Sequence, residues 1–459
     1  IKAETELREA AAAHGIDPKA EMWKLPAEHV GYYAEQDAEL TLKLWQRFKH
    51  EITSQSLTTV WEMEQQLLPI LIKMRQRGVR VRVEKAAELQ KEMKLQEKEI
   101  LLDIQKETGI EIDIWAPRQI AKAFDKLKLE YPRTEKTKEP SFTQNWLINN
   151  KNKIAQLIVS AREVNKFHGT FLSSIMKYQV NGRIHGEINQ LRGDNGGTVS
   201  GRLSMSNPNL QQVPSRNKDF GPKEGHRWGS FDYSQQEPRM TVHYAASIGD
   251  GYEGSNELVE AYQNASADFH QTVADLVGID RTQAKTIGLG LMYGMGKNKL
   301  ANSLGVSKDE ANELIIKYNK KVPFVKKLSD RCKYAADEKG VIRTKKGRKC
   351  RFDMWETRDF GLHQAEKYED AVAKYGKDNI KRAYTYKALN RLIQGSSADQ
   401  TKQSMLDCYN AGHLPMLQIH DELCFNIAKQ IQKLMQNTIE FKVPSVVEYG
   451  LGESWGDAK

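Results

Sequence analysis

Apolar side chains recur at helical spacing through the first half of the chain. Leu67, Leu68, Leu71 and Ile72 line one helix face, and Gly78 stops it. Residues 1–60 also read as helices, with Leu40, Leu42 and Leu44 set among charges and Pro18 and Pro26 as punctuation. At Val79-Arg80-Val81-Arg82-Val83 the period becomes two, which predicts a short strand with an apolar and a basic face. Ala86 to Lys106 returns to a long, charge-rich helix. Residues 132–141 carry neither period and predict a solvated, flexible loop; residues 192–225, rich in Gly, Asn, Ser and Pro, predict irregular backbone. Farther on, Arg227 to Tyr233 reads as a strand ending in an acid, and residues 256–330 as mostly helical. Leu414 to Ile427 reads as a hairpin with His420-Asp421-Glu422 at its turn. The sequence has no internal repeat and no low-complexity tract.

Composition narrows the class. The 459 residues predict about three domains. A hydrophobic share of 39% excludes wholesale disorder. Mean hydropathy is −0.65, and no uninterrupted apolar run reaches the roughly 20 residues a membrane helix needs. The acidic start does not resemble a secretory signal. Cys332, Cys350, Cys408 and Cys424 are too scattered for a zinc knuckle or a disulfide framework, which predicts a reduced, intracellular setting. The net charge of +9 is uneven: residues 1–60 carry 7 basic and 10 acidic side chains (−3), and the rest 62 and 50 (+12). That excess permits a polyanionic partner without requiring one.

Two strand ends carry carboxylates, Asp232 and Asp421. If one sheet brings them together, their oxygens suit Mg²⁺ bound partly by substrate phosphates. Two such ions about 4 Å apart activate an attacking oxygen and stabilise a leaving one. The alternative is structural: Asp232 as a helix N-cap, Asp421 and Glu422 as turn residues. Arg281, Lys285, Leu289 and Tyr293 are spaced four apart on a helical face. Two cations one turn apart can hold a polyphosphate, and an ordinary amphipathic helix would show the same spacing. Gly288, Gly290 and Gly294 cost about 1 kcal/mol each inside a helix; close approach of another backbone or a ligand would explain them.

These segments resemble, in order, the motifs of family A DNA polymerases of the bacterial DNA polymerase I type. Asp232 to Arg239 resembles the first palm motif, Arg281 to Gly294 the finger helix, and Gln418 to Glu422 the second palm motif. Thr198 to Ser204, Asn207 to Gln211, Asp268 to His270, Asn390, Gln394-Gly395 and Gly452 to Trp455 match further family segments over residues 60–459. The resemblance implies an α+β, right-hand fold: thumb, palm with an antiparallel sheet, and mostly helical fingers. It divides the chain into thumb 59–184, palm 185–250 and 386–459, and fingers 251–385. It implies addition of deoxynucleotides from dNTPs to a primer 3′ end, with primer-template DNA as partner and two Mg²⁺ ions (or Mn²⁺) as cofactors. Asp232 and Asp421 would hold the metals, with the Tyr233 carbonyl as a further ligand and Glu422 close by. Lys285 would contact the triphosphate and protonate the leaving pyrophosphate, and Arg281, His270 and Gln235 would grip phosphates. Glu237 would exclude a 2′-hydroxyl, and Tyr293 would sit beside the nascent pair. Arg202 and Gln394 would read minor-groove acceptors, Asn390 and His420 would support the primer terminus, and Lys166 either touches DNA phosphate or is a solvated lysine.

The chain departs from the family at Leu289, where an aromatic residue is usual, at Pro238 after the gate glutamate, and at Tyr386, where arginine is frequent. Leu289 implies altered sugar selection and favours a phage or viral member, which would place the protein in a bacterial host's cytoplasm. Tyr33 to Asp37 resembles the last motif of the family's 3′–5′ exonuclease, so residues 1–58 are identified as the C-terminal remnant of an RNase H-like exonuclease domain. The expectation is a chain truncated within that domain that does not proofread alone, with a separate exonuclease portion or replication accessory proteins as candidate partners. An RNA polymerase of the same fold and a catalytically silent DNA-binding subunit are the alternatives; Glu237 opposes the first, and Asp232, Asp421 and Lys285 together oppose the second.

Overall fold

The computed structural model describes residues 2–134, 137–193, 196–214, 220–222, 224–263, 268–359, 361, 363–426 and 430–458. Cα packing divides the chain into two compact units, Ile1–Glu62 and Met63–Lys459.

In the first unit the Lys2–Ala13 and Ala27–Ser54 helices close over a small core of Leu7, Ala11 and Leu25, with Tyr33 packed against it. The Asp17 carboxylate accepts the backbone N–H groups of Lys19 and Ala20, both at 2.8 Å, and fixes the turn between the helices.

The second unit is α+β. Its central sheet is antiparallel, with strands in the order Leu417–Ile419, Glu422–Asn426, Trp228–Tyr233, Val447–Gly452. Alternation decides the faces. Phe231, Tyr233, Leu423 and Phe425 pack with Met63, Leu67 and Met74 from the Thr58–Arg77 helix and with Met405 and Leu406 from the Ala388–Asn410 helix. Trp228 and Cys424, on the other face, pack with Trp455 and Phe220. The hairpin forms where the sequence places it, but Glu422 begins the second strand and only His420 and Asp421 make the turn. Ile427 lies outside the described residues. The helix after Asp232 starts at Gln236, with Gln235 at its N-cap, so Asp232 is not a cap.

A second core gathers the helices Ser255–Gln263, Phe269–Val277, Arg281–Met292, Lys297–Leu304, Lys308–Lys321 and Pro323–Lys339 around Phe269, Ile287, Tyr318 and Phe324. Their boundaries follow from local chemistry. Asp268 caps one, capping boxes Asp280/Gln283 and Ser307/Glu310 start two others, and Gly278, Gly305 and Gly340 end helices in the left-handed region. The Val83–Thr108 and Lys153–Lys166 helices carry a third core, which includes Ile104, Phe124 and Ile158.

Some loop expectations change. The strand after Gly78 is shorter than its pattern, Val79–Val81, because Val83 already starts the next helix. Residues 132–141 are not free coil where described. Arg133 bridges to Pro140, and Arg118 holds Glu139 with N–O distances of 3.2 and 2.9 Å. Residues 192–225 contain Ser204–Ser206, paired with Glu187–Asn189, and Phe220–Gly221, paired with Arg80 and Val81. Ladders of two or three residues are too short to show a period. Residues 135–136, 194–195, 215–219 and 223 of these loops lie outside the described residues. All four cysteines are free and buried, and among the described residues no helix is long and apolar enough to cross a membrane.

Candidate active site

The Trp228–Tyr233 strand places Ser230 and Asp232 on one face and sends the Tyr233 ring to the other, where its hydroxyl meets Ser404 and the Met435 carbonyl, each at 2.6 Å. Asp232 faces Glu422 on one neighbouring strand and Glu448 on the other. The Tyr233 N–H donates to the Asp421 carbonyl at 3.4 Å, so the hairpin turn abuts the strand end that carries Asp232. The two aspartates, 189 positions apart in sequence, thus share one corner of the sheet. Burial raises the Asp421 carboxyl above its ordinary pKa, Glu237 adds to the rise, and Arg202 opposes it. Glu422 is committed to the scaffold: it accepts from Ser230 and from the Trp455 indole at 2.7 Å.

Two residues flanking these carboxylates adopt left-handed backbone, Gln235 (φ +53°) and His420 (φ +55°). Such strain in non-glycine residues collects at functional sites. The Gln235 side-chain oxygen accepts the Phe269 N–H at 2.8 Å and the Tyr262 hydroxyl at 3.3 Å, tying the strand end to the Phe269–Val277 helix. The His420 carbonyl accepts from Gln418 at 2.7 Å, and Gln418 accepts from Gln211 at 3.0 Å.

Beside this corner, four residues to which the resemblance gives separate roles meet. Glu237 holds Arg202 with one oxygen and the Tyr293 hydroxyl with the other, at 2.5 Å. Gln394 reaches the same Tyr293 hydroxyl. Burial, then the Glu237 charge, raises the Tyr293 pKa, so its hydroxyl stays a donor. Pro238 sits in the first turn of the Gln236–Ala246 helix, where proline is tolerated.

Arg281 and Lys285 are exposed on the Arg281–Met292 helix. Arg281 pairs with Asp268 through two nitrogens, at 2.8 and 2.7 Å. His270, in the first turn of the Phe269–Val277 helix, is buried, and its Nδ1 has no partner among the described residues. Burial lowers its pKa to about 4, helped by Lys285 and Arg281. His270 is therefore neutral at physiological pH: a hydrogen-bond group, not a cation. Leu289 is half-buried against the helical core.

Contrary to what their spacing suggested, the three glycines are not all inside the helix. The helix ends at Met292, so Gly294 lies beyond it at φ +70°, where a Cβ would stand 3.1 Å from the Tyr386 carbonyl. Gly288 and Gly290 are crowded by the Tyr318 hydroxyl (3.3 Å) and the Met295 sulfur (3.1 Å). The close approaches are internal.

Asn390 lies in the first turn of the Ala388–Asn410 helix, and Gln394 one turn later. Lys166 is exposed at the end of its helix, just before a π-helical turn, Phe167–Leu172. In the first unit, Tyr33 and Asp37 hydrogen-bond to each other one helical turn apart. Sequence reasoning missed a buried cluster beneath the site: Glu64, Arg348, Asp399 and Lys402. Its one visible signal is a polar run, Ser396 to Ser404, that is buried almost throughout.

The fold is that of a DNA polymerase. It superimposes on the POL domain of Pol1 from M. smegmatis, solved with DNA primer-template and dNTP, with a TM-score of 0.75 and 26% identity, covering 91% of this chain and 74% of that one. The family model for DNA polymerase family A matches residues 83–457, and the chain belongs to that family. A DNA-directed DNA polymerase of Pseudomonas phage M6 is 37% identical over 99% of this chain and 74% of its own length. DNA polymerase I of Caldicellulosiruptor bescii is 30% identical over 92% of this chain, which spans 50% of that protein.

Proposed function

We propose that this DNA polymerase extends a primer 3′ end by template-directed, two-metal nucleotidyl transfer from dNTPs. The observation that carries this is the meeting of Arg202, Glu237, Tyr293 and Gln394 beside the corner that holds Asp232 and Asp421. We assign residues 59–184 to the thumb, 185–250 and 386–459 to the palm, and 251–385 to the fingers.

Asp232, Asp421 and the Tyr233 carbonyl would hold Mg²⁺. The donor set fits: hard oxygen ligands, few from protein, leaving room for water and substrate phosphates. Among the described residues no three His, Cys, Asp or Glu side chains gather around one point, as an all-protein cage would require. Bound there, Mg²⁺ would supply an attacking oxygen of greater nucleophilicity and stabilisation of charge on the leaving one. The chain's residues do the rest. The primer 3′-hydroxyl loses its proton to solvent and attacks the α-phosphate, the bond between the α- and β-phosphates breaks, and Lys285 gives a proton to the departing pyrophosphate. Arg281 exchanges Asp268 for a substrate phosphate, while neutral His270 and Gln235 complete that wall. Glu237 closes the space a 2′-hydroxyl would need, with Leu289 and Tyr293 facing the same sugar and base. Arg202 and Gln394 read minor-groove acceptors common to all pairs, which tests pair shape and not sequence. Asn390 and His420 support the primer terminus, Lys166 contacts duplex phosphate, and Glu422 braces the sheet corner. We infer further that the chain alone does not proofread, because Tyr33 and Asp37 supply one carboxylate where a two-metal exonuclease needs several.

Primer extension tests the assignment. Asp232→Ala or Asp421→Ala abolishes extension and leaves DNA binding nearly intact; extension retained in both would overturn the two-metal reading. Excision of a mismatched 3′ end, lost in Asp37→Ala, would overturn the absence of proofreading.

A further inference from the structure

The buried cluster beneath the site has no role in the chemistry above. Arg348 stands at its centre. Its Nε donates to Asp399 at 2.6 Å, and a terminal nitrogen donates to Glu64. The other Asp399 oxygen accepts from the Thr344 hydroxyl at 2.6 Å, and Lys402 donates to Glu64 at 2.7 Å. Gln190 holds the Glu64 backbone carbonyl at 2.8 Å. Two cations balance two anions, and the Asp399 and Lys402 side chains are 1% and 2% exposed.

The surroundings of the guanidinium matter more than its charge. Gly201, at φ +83°, lies against it: a Cβ there would stand 3.1 Å from Cδ, Nε and Cζ of Arg348. The next residue is Arg202. Gly395 lies 3.1 Å, by the same measure, from the Thr344 methyl and 3.5 Å from the Ser200 carbonyl. The residue before it is Gln394. One guanidinium therefore supports the turn that carries one minor-groove reader and, through Asp399 and Thr344, the helical turn that carries the other.

We propose that Arg348 is a positioning residue for primer-end recognition, holding Arg202 and Gln394 in register from below through Gly201 and the Asp399–Thr344 pair. This rests on the reading of Arg202 and Gln394 as primer-end contacts. Two buried and two largely buried charges are a poor way to gain stability, since apolar side chains of equal volume serve as well. What a fixed planar donor set supplies is geometry, and lysine, a point charge, cannot reach Asp399 and Glu64 with the same fork.

The test uses the full chain, with kcat per active site measured on primers with matched and mismatched 3′ ends. Arg348→Lys lowers kcat on the matched primer about tenfold and narrows the match-to-mismatch ratio, because small displacements of aligned groups are costly. In that background Arg202→Ala costs less than it does in the wild type, as expected of coupled residues. Asp399→Asn gives the same pattern and serves if Arg348→Lys does not fold. A lower Tm with an unchanged ratio and additive effects would overturn the proposal and make Arg348 merely structural. If Arg202→Ala alone changes neither extension nor the ratio, the reading of Arg202 itself falls, a result distinct from additivity.

Discussion

At the scale of single residues, the site separates groups that stay neutral from groups that carry charge. His270 is held neutral by burial, and so is His243, whose Nδ1 accepts the Lys442 N–H at 3.0 Å and whose pKa is pushed down to about 4. For both, burial comes first; Lys345 and Lys442 add to it at His243. Between pH about 6.5 and 4 the unfolded chain takes up these protons and the folded chain does not, so stability present above pH 6.5 is lost as pH falls through that window. His243→Gln, away from the proposed chemistry, should flatten the dependence of stability on pH there by up to about 1.4 kcal/mol per pH unit. Denaturant unfolding at pH 7, 6 and 5 checks this, and an unchanged slope would refute it. Leu289 allows a second residue-scale prediction. It presents a small, non-planar surface where a tyrosine would offer a ring and a hydroxyl. Leu289→Tyr should change the ratio of dideoxy- to deoxynucleotide incorporation by about tenfold; identical selectivity would discount Leu289 as a sugar contact. Glu237 and Leu289 stand out in the sequence because they lie inside family-like motifs, and the substitutions test the roles those motifs imply. The neutral state of His270 was not, because burial by Phe269 and its neighbours is a property of the folded core.

At the scale of elements, the Arg281–Met292 helix shows how spacing succeeds and fails as a guide. The four-residue repeat put Arg281 and Lys285 on an exposed face, as observed. It also carried the helix two residues too far, through Tyr293 to Gly294, because periodicity cannot show where a left-handed residue ends it. The glycines separate accordingly. At Gly290 an added methyl meets the Met295 side chain, which is flexible, and the helix gains up to about 1 kcal/mol of propensity. At Gly294 the added methyl meets the Tyr386 backbone oxygen and a left-handed φ, at a cost of about 1–2 kcal/mol. Thermal unfolding should show Gly290→Ala equal to or above the wild type and Gly294→Ala about 1–2 °C below it; the reverse order would refute the account. The hairpin that presents Asp421 was legible for a different reason: a brief polar triplet separates two short apolar arms, which are buried on both faces. The ion cluster around Arg348 escaped notice because Glu64, Arg348, Asp399 and Lys402 each look like an ordinary solvated charge until three separate elements fold over them.

At the scale of the whole molecule, the excess of +12 beyond residue 60 bears on DNA binding only through cations that remain available to phosphate. Many are spent internally. Arg348 and Lys402 face carboxylates in the core, Arg202 faces Glu237, and Arg162 donates to the Ile114 and Phe142 carbonyls at 2.8 and 3.1 Å. Each of these ion pairs removes one charge of each sign and leaves the net charge unchanged, so the 62 basic side chains beyond residue 60 overstate the electrostatic grip, and composition could not reveal which of them are spent. Lys166 differs: it is exposed, makes no ion pair among the described residues, and stands at the start of the π-helical turn. Each phosphate neutralised contributes a slope of about −0.9 to the dependence of log affinity on log salt. Lys166→Ala should therefore make the slope for duplex primer-template shallower by about one, while kcat at saturating DNA is unchanged. Arg202→Ala should do the reverse, leaving the slope as it was and lowering kcat, because its charge is already matched by Glu237. Titrations between about 50 and 200 mM salt distinguish the two. An unchanged slope for Lys166→Ala would remove that residue from the phosphate contacts, and a shallower slope for Arg202→Ala would mean that DNA displaces Glu237 and takes up the guanidinium as a phosphate ligand.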